Sequence, residues 1–215
     1  KRKITSRCNI KLFTMVSESI FSKVHFRFVN MSKVKLNLIA AACENMGIGA
    51  NGSLPWRLKK EMAYFTTMTT KVSDPAKVNA VIMGRRTWDC IPPKYRPLVG
   101  RVNIVLTRNV ASVKENVPDG VVVVPGLDAA ISYIDGREDI ESTWVIGGSS
   151  IYKAAMCHPN CGKIYLTEIQ KTFDCDTFFP SIDKQQFHLV DEEGVLREKQ
   201  VEGNISYYFR VYQKL

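Results

Sequence analysis

Residues 46–65 read MGIGANGSLPWRLKKEMAYF, and the rest of the chain is organised around them. The second half has the spacing of an amphipathic helix. With Leu58 at the origin and ~100° per residue, Met62 falls near ~40°, Phe65 near ~340° and Met68 near ~280°. Glu61 falls near ~300°, inside that apolar arc, while Lys59 and Lys60 point away. A carboxylate on a buried stripe is costly unless something satisfies it. Periodicity alone leaves open a structural glutamate, either at the rim or neutralised by an internal cation, and a functional acid. The preceding segment favours the second. Gly47, Gly49 and Gly52, with Asn51 and Pro55, form a loop that is no simple spacer and delivers Leu54 and Trp56 to the mouth of the helix.

Working outward, the chain has 215 residues, 45% of them hydrophobic, enough for one sizeable core. No apolar run approaches the ~20 residues that span a bilayer. The net charge of +9 raises nucleic acid or a membrane as partner, but its distribution weakens both. Residues 1–30 hold seven Lys and Arg against Glu18 alone, a local balance of +6, which leaves +3 for the other 185. That basic, serine-containing segment has the outline of a mitochondrial transit peptide, or lies upstream of a start at Met31. The expected organisation is a basic extension over 1–33 and one domain over 34–215. The expected location is cytoplasmic, or mitochondrial if the extension is a genuine transit segment.

The six cysteines (Cys8, Cys43, Cys90, Cys157, Cys161, Cys175) form no C-x-x-C pair. They favour reduced thiols over a disulfide framework. Cys157-His158-Pro-Asn-Cys161 has metal-capable side chains but no second half, so no metal is expected.

Short apolar runs at 34–43, 77–84, 101–107, 120–125, 143–146 and 163–169 read as strands buried on both faces. Helices are expected at 58–70, from Arg85, at 127–134 and through Ile151 to Ala155. Runs at 187–190 and 206–212 alternate more and have no helix between them. The expected fold is therefore α/β: a central, mostly parallel eight-stranded sheet with flanking helices and an antiparallel C-terminal edge pair.

Three strand ends carry anion-binding chemistry. Gly84-Arg85-Arg86-Thr87 puts two guanidinium groups and a hydroxyl at a helix start, suited to a pyrophosphate and to the 2′-phosphate of NADP. Gly147-Gly148-Ser149-Ser150, after Ile146, lets backbone approach a ligand closely, although it is not the G-x-G-x-x-G fingerprint. Thr107-Arg108 is the third. Any one of these reads equally well as a capped helix with solvated charges. Three at the C-terminal ends of one sheet's strands point to a ligand. Taken alone, Arg101 is a surface arginine and Thr167 an ordinary strand threonine.

MGIG, GSLPW, Glu61 and Phe65, followed in order by VIMGRRTW, IPPKYRPLVGR, NIVLTR, WVIGGSSIY and DTFFP, resemble the dihydrofolate reductase family over essentially all of 34–215. Glu61 matches the acid of the eukaryotic, monofunctional form. The resemblance implies NADPH as cofactor, dihydrofolate as substrate, antifolates as ligands and a monomer. It implies that Glu61 binds the pterin 2-amino group and ring nitrogen and supports protonation of N5 through a water near Trp56. Leu54 comes from the active-site loop, and Thr167 bonds the acid. It implies that Ile39, Met62, Phe65, Ile91 and Leu98 line the pterin and aminobenzoyl slot, and that Arg101 grips the substrate's α-carboxylate. It also implies a cofactor site. Ala41, Ile48, Gly49, Ile146, Gly147, Gly148, Ser149, Ser150, Ile151 and Tyr152 would lie along the nicotinamide and diphosphate. Gly84, Arg85, Arg86, Thr87, Thr107 and Arg108 would hold the adenosine phosphates. The Gly147–Gly148 bond is cis in the family.

Two departures stand out. Ser53 replaces an Asp and Met62 an aromatic of vertebrate relatives. Both bear on inhibitor selectivity and not on reaction type.

Two other classes of function remain in view. One is a reductase of the same fold acting on a pyrimidine riboside, which has no use for both Glu61 and Arg101. The other is a non-catalytic NADPH- or RNA-binding module, supported only by residues 1–30.

Overall fold

Apolar residues at alternate positions of the inner strands face opposite sides of one sheet, and each side is then covered by helices. The computed structural model describes residues 32–215, and the expectations about residues 1–30 lie outside the described residues. Six strands run parallel: β1 (Leu36–Ala42), β3 (Val78–Gly84), β4 (Arg101–Leu106), β5 (Val122–Val124), β6 (Ile140–Val145) and β7 (Cys161–Ile169). Two more elements were not foreseen: β2 (Gly47–Gly49) and β8 (Thr177–Phe178) form a separate two-stranded sheet. The C-terminal strands are β9 (Phe187–Val190), β10 (Gln200–Glu202) and β11 (Ile205–Lys214).

The order across the main sheet is β10-β11-β7-β1-β6-β3-β4-β5, with β9 also on β11. All eight anticipated strands are present, and β10 makes nine. The antiparallel end differs in detail from a simple edge pair. β11 lies inside the sheet, bonded to β7 along one side, while β9 and β10 pair with different parts of it.

Leu36, Leu38, Ala80, Ile82, Ile104 and Val145 point to one face and pack against α4 (Leu127–Asp135) and α5 (Ser149–Cys157). Ile39, Val81, Met83, Val105 and Trp144 point to the other, where Phe65 and Met68 of α1 (Lys59–Thr70) and Trp88 of α2 (Arg85–Cys90) cover them. A short α3 (Val110–Lys114) lies between β4 and β5, capped by the Asn109 side chain, which accepts from Ser112 N.

Two asparagines interrupt this apolar interior. Asn79 is fully buried in β3. Its amide donates to Thr69 O and Lys71 O at the end of α1, and its Oδ1 accepts from Ser142 N and Oγ. Asn103 in β4, opposite Val81, donates to Leu98 O and Arg101 O and accepts from Leu98 N. Each side chain does the hydrogen bonding that an irregular segment beside the sheet cannot do for itself. Replacing Asn103 with Ala leaves these buried backbone groups unpaired. A stability loss of roughly 2–3 kcal/mol is expected in urea unfolding, together with weaker binding of any ligand held by Leu98 and Arg101.

Candidate active site

α1 approaches the sheet with Glu61 turned inward. Its carboxyl is 6% exposed, and Thr167 Oγ1 of β7 donates to Glu61 Oε1 at a long 3.4 Å. Burial pushes its pKa up to about 7, against a smaller lowering by Thr167, with the Glu202 charge raising it further. The helix start is fixed from far along the chain. The Glu202 carboxylate accepts from Lys59 N at 2.7 Å and Lys60 N at 3.0 Å, and from the Tyr207 hydroxyl at 2.7 Å. An acceptor at a helix N-terminus satisfies free N–H groups and complements the dipole.

The loop before α1 turns at Asn51 (φ 51°) and Gly52 (φ 74°), where Ala50 and Ser53 pair. Trp56 is turned inward and buried, in the same apolar cluster as Leu58 and Phe209. Its Nε1 is a buried donor with no protein acceptor, and the Tyr64 hydroxyl is a second orphaned polar group. Buried polar groups of this kind call for a partner. Leu54 is turned out and stays 45% exposed, at the rim and not in the interior.

Ile39, Phe65, Ile91 and Leu98 meet in one cluster, as expected of a flat apolar slot. Ile39 is only 3% exposed and forms its floor. Met62 is 48% exposed. The buried stripe of α1, running through Leu58, Glu61, Phe65, Met68 and Thr69, is centred near ~330°, close to Phe65. Met62 lies ~70° from that axis, at the open edge of the slot.

At the far side of the slot Arg101 opens β4. Nη1 donates to Thr69 Oγ1 at 2.8 Å and Nε to Val99 O at 3.1 Å. Burial lowers its pKa from the ordinary value, yet among the described residues no carboxylate lies within ion-pair distance. A half-buried guanidinium held by neutral partners is a site for an external carboxylate.

The second half of the cleft lies where β3 and β6 end. Gly84 N donates to Gly147 O at 2.7 Å, and the Gly147–Gly148 bond is cis. A Cβ on Gly84 would lie 3.2 Å from Ile151 Cγ1, and one on Gly147, at φ 122°, would lie 3.3 Å from Thr87 Oγ1. Side chains are thus disfavoured along this stretch of backbone, which fits the close approach of a dinucleotide phosphate. Ser149, Ser150 and Ile151 continue this wall at the start of α5. Ser149 Oγ donates to Phe178 O, joining it to β8. Arg85, Arg86, Thr107 and Arg108 stand at the ends of β3 and β4. Arg85 pairs with Asp89 at 3.1 Å, and Thr107 Oγ1 accepts from Asn109 N. Ala41, Ile48 and Gly49 border the cleft at the end of β1 and in β2, and Ile146 follows β6.

Tyr152 is 4% exposed and donates to Ile39 O at 2.8 Å, bracing β1 against α5. At 157–161, His158 Nε2 is instead 3.1 Å from Asp128, and no group of three metal-ligating side chains occurs among the described residues.

An acid beside an apolar slot, with a glycine-walled anion cradle where β3 and β6 end, fits an oxidoreductase of the α/β class. Comparisons with known proteins agree. The model of the family described as dihydrofolate reductase matches residues 35–214. The chain is 85% identical over 185 residues to dihydrofolate reductase of Heliothis virescens, covering 86% of this chain and all of that one. It is 46% identical to the Rattus norvegicus protein of the same name, over 83% of this chain and 97% of the relative. Schistosoma mansoni dihydrofolate reductase superposes with a TM-score of 0.72 at 39% identity, over 84% of this chain and 98% of that one. The chain belongs to the dihydrofolate reductase family.

Proposed function

We propose that this protein reduces 7,8-dihydrofolate to 5,6,7,8-tetrahydrofolate with NADPH, and that residues 34–215 carry the whole activity. The observation that carries the reading is the pairing of buried Glu61 at one end of the slot with the unneutralised Arg101 at the other. A pterin with a glutamate tail satisfies both. A pyrimidine riboside, without a tail carboxylate, has no use for both.

The glycine-walled cradle and the basic strand ends fit NADPH, with Arg86 and Arg108 exposed and free for its 2′-phosphate. When bound, the reduced nicotinamide supplies the hydride that reaches C6 of the substrate. The protein's part is orientation and a proton. Ile39 and Phe65 hold the ring system flat. Glu61 accepts from the pterin 2-amino group and ring nitrogen. With its proton affinity near neutrality, it supports protonation of N5 through a water held by Trp56 Nε1. Thr167 keeps the Glu61 carboxyl in place and Arg101 anchors the tail carboxylate. The expected unit is a monomer, and antifolates of the diaminopyrimidine or pteridine type should occupy the Glu61 end.

The test follows NADPH absorbance with dihydrofolate for the full chain and for one beginning at Met31. Equal oxidation in both, blocked by a diaminopyrimidine, is the expected result. Bound NADPH without oxidation in either would sink the substrate half of the reading. Loss of activity on removing 1–30 would overturn its assignment to 34–215.

A further inference from the structure

Cys43 and Cys175 are 132 residues apart in sequence, yet their Sγ atoms lie 3.9 Å apart. Neither takes part in the chemistry above. Cys43 is buried at the root of the loop that carries Trp56, just past the end of β1. Its N–H donates to Gly47 O, and its carbonyl accepts from Met46 N. Cys175 is half-buried and lines a surface cavity of about 380 Å³ with Asn45, Asn51 and Asp176. Between them is Gly47. A Cβ there would lie 2.5 Å from Cys175 Sγ and 2.9 Å from Cys43 Sγ, so the two sulfurs face each other across a residue with no side chain.

We propose that Cys43 and Cys175 are a thiol–disulfide site, in which a reversible bond formed by exchange with a small disulfide ties down the root of the active-site loop and slows turnover. The activity consequence rests on the reductase reading; the bond itself does not. A disulfide has its sulfurs about 2.0 Å apart, so they must close by about 2 Å. Cys43 Sγ gives up its present acceptor, Asn45 Oδ1 at 2.8 Å, which keeps the Gly47 N–H.

Access sets the order of events. Cys175, open to the cavity, attacks one sulfur of the small disulfide as a thiolate and expels one thiolate. Cys43, also as a thiolate, then attacks Cys175 Sγ and expels the second. Two electrons pass from the protein thiols to the small disulfide. The two protons given up by the cysteines are taken up, through water, by the two departing thiolates. Burial raises the Cys175 pKa, so the exchange quickens as pH rises through the neutral range.

The consequence follows from what holds the loop. Residues 51–54 are exposed. The segment is tied to β8 and the residues just before it, Cys175 among them, by the short β2–β8 pairing, by Asp176 N to Gly49 O at 3.1 Å and by Asn51 N to Asp176 Oδ2 at 2.7 Å. Few buried contacts and a handful of exposed hydrogen bonds mark a segment that opens at low cost. A covalent tie between the loop root and the strand it pairs with removes that freedom. Where opening admits substrate or releases product, turnover falls.

The experiment exposes the full chain to oxidised glutathione, blocks remaining thiols by alkylation and maps the peptides by mass spectrometry, with NADPH oxidation measured in parallel. A linked Cys43–Cys175 peptide is expected, with a loss of turnover that dithiothreitol restores. Cys175→Ser should keep its turnover under the same treatment, while Cys90→Ser and Cys157→Ser, which remove exposed thiols, should lose it as the parent does. A glutathione adduct without the link, equal loss of turnover in Cys175→Ser, or a linked protein with unchanged turnover would each overturn the proposal. Lack of reductase activity before oxidation would count against the proposed function and leave the peptide map as the test of the bond.

Discussion

Glu61→Gln is expected to abolish most turnover at pH 7 while making the protein more stable. The amide keeps the shape but cannot exchange a proton, and positioned acid–base groups contribute roughly 10²–10⁴-fold. The loss should shrink as pH falls, because protonation of N5 from solvent then replaces the missing relay. NADPH binding, read from quenching of protein fluorescence, should survive. The stability effect has a definite sign. The folded protein binds the Glu61 proton up to about pH 7, whereas the unfolded chain releases it near 4.5. Folding is therefore favoured by this group at low pH, and its contribution falls as pH rises from about 4.5 to about 7. Above pH 7 the wild type bears the cost of an ionised, desolvated carboxylate, and Gln removes it, a gain of up to ~3 kcal/mol. Urea unfolding of both proteins at pH 5 and pH 8 checks this. Turnover unchanged at every pH would remove Glu61 from the mechanism.

Arg101→Lys should raise KM for dihydrofolate by ~10²-fold or more with a much smaller change in kcat, since truncating one partner of a partly buried charge pair costs ~2–5 kcal/mol. Lysine keeps the charge but not the planar fork, whose Nη1 and Nε hold Thr69 and Val99 in place. The discriminating measurement uses a pteridine substrate without the glutamate tail. Parent and variant should reduce it equally poorly, because the tail is what Arg101 holds. An equal KM increase for both substrates would mean that Arg101 supports the fold of the slot and does not grip the tail.

The parts of this molecule that repeat a simple period were legible in the sequence. Eight strands and the helices at 58–70 and 127–134 came from apolar runs and 3.6-residue spacing. β2, β8 and β10 did not, since two or three residues carry no period. The inward position of Glu61 was legible because a charge inside an apolar arc is anomalous by itself. The stripe's centre, set on Leu58, falls ~30° away near Phe65, which leaves Met62 at its open edge. GSSIY reads as one ligand-facing run, and nothing in it announces that Tyr152 also braces β1 through Ile39 O. Asn79 and Asn103 were missed although a signal was present. Both sit in a Val-Asn-Xaa-Val strand, where a polar residue between β-branched ones has to be satisfied by something.

The carboxylate of Glu202 sets a condition on the order of assembly. It caps a helix that begins 143 residues earlier, next to a strand that itself lies between β7 and the last two edge strands. A ribosome releases α1 long before either partner exists. The start of the helix that carries Glu61 is therefore uncapped until the β10–β11 hairpin has been made and inserted. Long-range closure of this kind is slow relative to local helix formation. The helix that presents the acid is thus fastened at its N-terminus late, by a residue from the far edge of the sheet.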